Sequence, residues 1–158
     1  MTGNYLALLE ESLRKKLQVM AEIQDYNLRQ QRIFQSNEVN LDKFDEYVDE
    51  KGKLIDRLTA LDNGFEKLYA NVAEELSGNR EQYAAQIKIL QGLVTKVTEQ
   101  SVAIQAQETR NKKMMEDFFR KERDGIRMGR KTSKAAIGYY KTMSKSAVVA
   151  PQFMDSKK

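Results

Sequence analysis

The chain has 158 residues, contains neither histidine nor cysteine, and carries a formal net charge of +4. Without a thiol it can form no disulfide or thiolate metal site, and without an imidazole it lacks the commonest general base and metal ligand. It also contains no Gly-rich phosphate loop and no Gly-x-Ser-x-Gly nucleophile motif. We therefore expect no enzymatic activity, no cofactor and no bound metal.

Charge is distributed unevenly along the chain. Residues 1–109 hold 13 Lys and Arg against 18 Asp and Glu, whereas residues 110–158 hold 14 against 5. Such asymmetry is typical of a terminal segment that meets a different partner from the body of the protein. No stretch approaches the roughly 20 apolar residues of a membrane-spanning helix, and the start lacks the apolar core of a signal peptide. We expect a cytoplasmic protein with no segment inserted in a membrane.

Two short polar breaks divide the chain into three helical stretches. The only proline is Pro151, and before residue 120 the turn-forming residues concentrate at 36–40 and 77–79. The pattern predicts helices at about 5–35, 41–76 and 80–131. In the first of these, apolar residues recur at spacings of three and four. They are Leu6, Leu9, Leu13, Leu17, Met20 and Ile23.

The second predicted helix follows Asn40, a favourable N-cap residue. Its first turns hold the acidic residues Asp42, Asp45, Glu46 and Asp49. We interpret this cluster as a match to the helix dipole and a solvated face rather than a cation site. A second apolar line beside the main seam broadens the buried stripe enough to touch two neighbouring helices. It consists of Tyr47, Leu54, Leu61 and Leu68.

The third predicted helix begins at a cap formed by Ser77 or Asn79 and continues past Phe118. Short connections make sequential helices antiparallel, so we predict an all-α, elongated antiparallel three-helix bundle or coiled-coil hairpin. A third helix of about 50 residues would outrun the bundle near residue 117, given about 1.5 Å of rise per residue. We assign residues 1–131 to the helical bundle and 132–158 to a partly disordered basic tail.

Four polar residues fall within the apolar seams of the second and third helices. They are Lys51, Asp62, Glu108 and Asn111. In one interpretation the stripe drifts around the helix and these side chains reach out to water. In the other they are buried and fix the register of the bundle, because an unpaired buried charge is costly in a slipped packing.

The segment expected to leave the bundle holds the main candidate for a binding site. Methionine is adaptable and phenylalanine supplies anchors, so we predict that an amphipathic helix of a partner binds there. The set comprises Met114, Met115, Phe118, Phe119, Ile126 and Met128. Alternatives are a solvated terminus, attachment to a membrane surface, and cover by a second copy of the chain. Acidic residues interrupt the basic row and no docking motif is present, so we do not expect nucleic-acid binding.

Three features of the chain together resemble one protein family. The first is the three-helix plan with a long last helix. The second is the run Lys51-Gly52-Lys53-Leu54-Ile55-Asp56-Arg57-Leu58-Thr59-Ala60-Leu61-Asp62, and the third is Gly138-Tyr139-Tyr140 followed by Gln152-Phe153-Met154-Asp155-Ser156-Lys157-Lys158. These resemble the FlgN-type flagellar export chaperones, particularly the Gram-positive form. The pair of adjacent tyrosines and their basic approach depart from the family pattern.

The resemblance implies a chaperone for hook–filament junction proteins. Such a chaperone binds the C-terminal helical segments of these proteins and delivers them to the export gate of the flagellar secretion apparatus. Carried over by position, Met114 to Met128 would form the substrate surface, and Tyr139 or Tyr140 would contact the gate. Two alternatives stay open: a FliT-like chaperone of the filament cap protein, and a structural coiled-coil protein that forms a homodimer through its C-terminal helix.

Overall fold

The computed structural model describes residues 2–123. This part of the chain forms three long helices: α1 (Thr2–Gln35), α2 (Leu41–Gly78) and α3 (Ala84–Lys121). Short connections at 36–40 and 79–83 reverse the chain twice, so α1 and α3 run in the same direction and α2 runs opposite to both. The predicted all-α antiparallel bundle is thus confirmed. None of these three helices has an apolar stretch long enough to cross a bilayer.

The start of α2 is capped as the sequence predicts. Asn40 has an extended backbone, with φ −91° and ψ 95°, and its Oδ1 accepts a hydrogen bond of 3.0 Å from the backbone N–H of Lys43. Asp42 lies in the first turn of the helix, where a negative charge interacts favourably with the helix dipole. The side chain of Ser36 closes the preceding turn by a 2.7 Å hydrogen bond to the carbonyl oxygen of Glu38.

The connection between α2 and α3 differs from the prediction. Ser77 lies inside α2, and Asn79 caps the C-terminus of α2 rather than the start of α3. The backbone N–H of Asn79 donates to the Leu76 carbonyl, and its Nδ2 donates to the Glu75 carbonyl at 2.9 Å. Asparagine can serve either end of a helix, and here it satisfies carbonyl groups that the end of α2 leaves unpaired. Helix α3 then begins at Ala84 without a side-chain cap.

The third helix ends earlier than predicted, at Lys121 rather than near residue 131. Glu122 leaves the helix and its backbone N–H bonds to the Phe118 carbonyl at 3.0 Å. The ring of Phe118 lies 5.8 Å from the ring of Phe34, one residue before α1 ends. In the described part of the chain α3 therefore ends about level with α1 and does not form the expected overhang. Residues 124–158, including the predicted boundary at 131, lie outside the described residues.

Helix α1 is the central element of the bundle. Its Cα atoms come within 8 Å of Cα atoms in both other helices, whereas α2 and α3 do not approach each other so closely within residues 2–123. The core follows the predicted apolar seams, although Leu17 is half-buried and the neighbouring Lys16 is buried. The apolar residues that α1 buries are Leu6, Leu9, Leu13, Val19, Met20 and Ile23. Long side chains from α2 and α3 therefore meet beside α1 without close backbone contact.

Candidate partner-binding site

A layer of polar side chains crosses the core next to the end at which α1 and α3 finish. Lys51 from α2 and Asn111 from α3 are both 0% exposed, and Glu108 from α3 is 5% exposed. These side chains do not reach water, so the interpretation in which the stripe drifts and the polar groups snorkel is wrong for them. The burial agrees with the alternative interpretation, in which polar groups fix the register.

Lys51 is the centre of this polar layer. Its Nζ donates a 2.8 Å hydrogen bond to Glu108 Oε1 on α3 and a 2.7 Å hydrogen bond to Asn27 Oδ1 on α1. The amide of Asn27 donates to Gln107 Oε1 at 3.1 Å, and Asn111 donates to the Asn27 carbonyl at 2.8 Å. One ammonium group thus joins all three helices. Sliding any helix along another would separate these partners and leave a charge buried without compensation.

Burial in the polar layer also changes the pKa of Lys51. Burial lowers the pKa of Lys51 from its ordinary value of 10.5 to about 8, while the charge and hydrogen bond of Glu108 act in the opposite direction. Burial dominates because desolvation disfavours the ammonium form more than one carboxylate stabilises it. The lysine therefore holds its proton at neutral pH but releases it in mildly alkaline solution.

A second buried ion pair joins α1 and α2 further from this end of the bundle. Lys16 Nζ lies 2.6 Å from Asp62 Oδ1, and the two side chains are 5% and 12% exposed. Burial raises the pKa of Asp62 above its ordinary value, and the charge of Lys16 partly counteracts this effect. Asp62, one of the four polar seam residues, therefore contributes a bridge between helices.

One buried amide in the layer has no hydrogen-bond partner among residues 2–123. Gln30 of α1 is 0% exposed, and neither its Nε2 nor its Oε1 is bonded to any described residue. Asn111 Oδ1 is likewise without a hydrogen bond there. Each unpaired buried polar group costs roughly 1–3 kcal/mol. This half of the core is therefore less favourable energetically than one filled with apolar side chains.

Aromatic side chains close the same end of the bundle. Phe44 at the start of α2 is fully buried and lies 5.1 Å, ring to ring, from Phe34 at the end of α1. Phe118 packs edge to face against Phe119 at 5.5 Å and contacts Phe34 on its other side. Phe118 and Phe119 are half-buried, so each presents part of its ring to the exterior. Half-buried aromatic rings are typical anchors in protein interfaces.

The structure places four of the six predicted partner-binding residues on the last turns of α3. Met115 is only 1% exposed and belongs to the core. Met114 is half-buried and lies about one helical turn before Phe118. Ile126 and Met128, the other two members of the set, lie outside the described residues, as do Tyr139 and Tyr140. The described part of the candidate surface thus consists of Met114, Phe118 and Phe119, while Met115 lies in the core.

Basic side chains outnumber acidic ones in the last turns of α3. Lys112, Lys113 and Lys121 are exposed, while Arg120 is held by an ion pair of 2.9 Å with Asp117 on the same helix. Apolar side chains in a stretch with a net positive charge suit an amphipathic helix that carries acidic residues along the edges of its apolar face.

An open cleft of about 460 Å³ lies at the α1–α2 turn near this end. Arg29, Arg32 and Tyr47 line it together with the turn residues. Arg29 pairs with Asp25 at 2.9 Å and stacks over Tyr26, so its guanidinium group is already committed. The acidic residues at the start of α2 do not join with others into a potential metal-binding group anywhere in residues 2–123.

Sequence reasoning missed all three buried polar residues on α1, which are Lys16, Asn27 and Gln30. The apolar stripe ends at Ile23, but the same spacing of four, three and four continues through Asn27, Gln30 and Phe34. Both polar residues in that continuation are 0% exposed. The spacing could therefore have indicated that these two polar residues are buried. It continues the seam of α1, which faces the polar residues of α2 and α3.

The family-like run in α2 has a structural role in this molecule. Its first and last residues, Lys51 and Asp62, form the buried ion pairs to α3 and α1, respectively. Leu54, Ile55 and Leu58 between them belong to the core. This run joins α2 to both neighbouring helices, and its exposed residues alternate with these core positions.

Comparisons of the chain with protein-family models, with curated protein sequences and with solved structures found no match in any of the three. The resemblance to FlgN-type chaperones therefore depends on the residue patterns quoted above.

Proposed function

We propose that the protein is a cytoplasmic export chaperone of the flagellar type. In this proposal it binds the C-terminal helical segments of hook–filament junction proteins and delivers them to the flagellar export gate. The observation that carries the proposal is the apolar surface of Met114, Phe118 and Phe119 at the end of α3, next to the start of the basic segment. The sequence resemblance supplies the identity of the partner.

The surface suits a helix better than a small molecule. Two adjacent, partly exposed aromatic rings lie at the end of α3, where Phe118 packs against both Phe34 and Phe119. A partner helix laid across them would bury the remaining ring surface and extend the core beyond the last turn of α3. The neighbouring methionine can adapt its side chain to different apolar residues of the partner.

We expect the partner helix to bind with intermediate affinity. A segment that becomes ordered only on binding loses conformational entropy, and this loss offsets part of the interaction free energy. The described surface is also small, so tight binding would require the further residues Ile126 and Met128. A chaperone that must release its client at the export gate benefits from such an affinity. Tyr139 or Tyr140 would make the contact with the gate in this proposal.

The test is binding of a synthetic peptide that contains the C-terminal helical segment of a hook–filament junction protein from the same genome. Isothermal titration calorimetry would compare the unaltered chain with Phe118→Ala and with the double variant Phe118→Ala and Phe119→Ala. We expect roughly a 30-fold loss of affinity for the single variant and a larger loss for the double variant, since each truncated interface anchor costs about 2 kcal/mol or more. The matched control is Val102→Ala on the same helix, where the side chain is 62% exposed and distant from the site.

Thermal unfolding of the same variants separates binding from folding. Phe118 also contacts Phe34, so its truncation should lower the melting temperature somewhat while leaving the helical content intact. Equal loss of helicity and binding would contradict the predicted role. A concentration-dependent dimer with no affinity for the peptide would instead favour the self-associating coiled-coil protein.

A further inference from the structure

The outer face of α2 carries a row of acidic residues. Asp42, Asp49 and Asp56 follow one another at seven-residue intervals, and all three are exposed. Seven residues correspond to nearly two helical turns, so the carboxylates lie on one line, roughly 10 Å apart. The nearby lysines of α2 pair with other residues, Lys43 with Glu46 and Lys53 with Glu50. No ion pair to the three aspartates occurs within residues 2–123.

Helix α2 is the acidic element of the bundle. It contains ten Asp and Glu against five Lys and Arg, whereas α1 and α3 each carry a basic excess. Its backbone approaches only α1 within the described residues, so its outer face has no helix packed against it there. Within residues 2–123 no helix covers this face, and its negative charge favours a basic ligand.

The chain itself supplies a basic segment at the correct place. Residues 124–158 contain eight Lys and Arg and only two Asp and Glu. They follow Lys121 at the end of the bundle where α2 begins, because Phe118 contacts Phe34 and Phe34 in turn contacts Phe44. The last described turn of α3 therefore lies at the same end of the bundle as Asp42, the first aspartate of the row.

The spacing of the basic residues matches the row. Arg127, Lys134 and Lys141 are seven residues apart, the same interval as the three aspartates. A segment that turned back at the end of α3 and ran along α2 would be parallel to it, with Arg127 first. Cations and anions repeating every seven residues on parallel helices can pair one to one, as they do along coiled coils.

We propose that residues 127–141 bind the outer face of α2 as a parallel helix, with Arg127, Lys134 and Lys141 opposite Asp42, Asp49 and Asp56. The interaction is intramolecular and depends on exposed ion pairs, so it is weak individually and sensitive to salt. It does not depend on the proposed chaperone function, because it involves α2 rather than the aromatic end of α3.

The experiment is paramagnetic relaxation enhancement on the full-length chain. Since the chain has no cysteine, Ser133→Cys gives a single site for a nitroxide spin label. At low ionic strength we expect loss of amide signal intensity for Glu46, Asp49 and Lys53 on α2. The loss should disappear at about 0.5 M salt, where the screening length falls to a few Å.

Two sets of neutral variants sharpen the test. Asp42→Asn, Asp49→Asn and Asp56→Asn together should abolish the signal loss. Glu22→Gln, Glu81→Gln and Glu99→Gln change the net charge equally at exposed acidic residues outside α2, and they should leave it unchanged.

Three results would overturn the proposal. The first is the absence of signal loss on α2, and the second is equal sensitivity to the two sets of variants. The third is the same loss in a mixture of isotope-labelled chain and separately spin-labelled chain. That outcome would mean that the basic segment binds a second copy.

Discussion

The two halves of the bundle are built differently. In the half that contains residues 6–23 of α1, the side chains facing the core are apolar apart from the Lys16–Asp62 pair and Ser101. In the half that contains residues 24–34, the core is crossed by Asn27, Gln30 and their partners on α2 and α3. Aromatic rings then close the end. Both halves have the same three helices, so the difference lies entirely in the side chains.

This difference separates stability from specificity. Apolar packing contributes most of the folding free energy but tolerates many alternative arrangements. A buried ion pair adds little net stability, since desolvation offsets its electrostatic gain, but it penalises every register that separates the charges. The candidate binding surface lies beyond the polar half. We therefore expect the amides of that half to exchange hydrogen faster, because local opening there costs less free energy.

The largest effect is expected from Glu108→Leu, which removes the charge that compensates the buried Lys51 ammonium. Removing one partner of a buried ion pair typically lowers the free energy of unfolding by about 3–5 kcal/mol. Urea denaturation followed by circular dichroism measures the change. The control is Lys51→Met combined with Glu108→Leu, which should recover most or all of the loss. A loss below about 1 kcal/mol in the single variant would contradict the polar layer as described.

The pH dependence of stability should show the titration of Lys51. Its pKa is about 8 in the folded chain and near the ordinary value of 10.5 when unfolded. Between these values the unfolded chain binds a proton that the folded chain does not, so the lysine's contribution to stability rises with pH and is lost as pH falls back towards 8. Urea titrations at pH 8 and 10 measure the change. The double variant, which lacks the lysine, should show a smaller rise, and an identical rise would sink this explanation.

A smaller, stabilising effect is expected from Gln30→Met. The amide of Gln30 has no hydrogen-bond partner among the described residues, and methionine has a similar volume without the buried polar atoms. We expect the free energy of unfolding to rise by about 1 kcal/mol, because the desolvation cost of the amide is removed. Thermal unfolding provides the measurement. Destabilisation would show that the Gln30 amide is hydrogen-bonded in solution.

The smallest effect is expected at the surface of the apolar half. Arg14 and Glu10 form an ion pair of 2.9 Å on α1, with side chains 59% and 34% exposed. Exposed pairs four residues apart on a helix contribute only about 0.3–0.5 kcal/mol, and salt screens them. Glu10→Gln should therefore leave the midpoint of urea denaturation almost unchanged. A loss comparable to that of Glu108→Leu would mean that burial does not distinguish these two pairs.

Much of the fold follows from sequence periodicity. The three helices, the Asn40 cap and most of the core were predicted because apolar spacing and turn chemistry act locally along the chain. The end of α3 was not predicted, because the spacing of the seam continues past Lys121 while the backbone leaves the helix at Glu122. The role of Asn79 was also missed, since asparagine suits either end of a helix.

The candidate site was less accessible to sequence reasoning than the fold. Polar residues in a seam are compatible with exposure or burial, and only the packing shows that Lys51 and Glu108 meet across 57 residues of chain. Their pairing depends on the relative register of α2 and α3, which no local pattern specifies. By contrast, Phe118 and Phe119 could be selected from residue type and position alone, although their contact with Phe34 could not.

The most direct measurement of the binding proposal is an NMR titration of the isotope-labelled chain with the junction-protein peptide. If the aromatic end binds the peptide, amide shifts should concentrate in residues 112–123 and the last turns of α1, and the apolar half should stay unchanged. Shifts centred on residues 6–23, or no shifts at all, would contradict the assignment of binding to this end of the bundle.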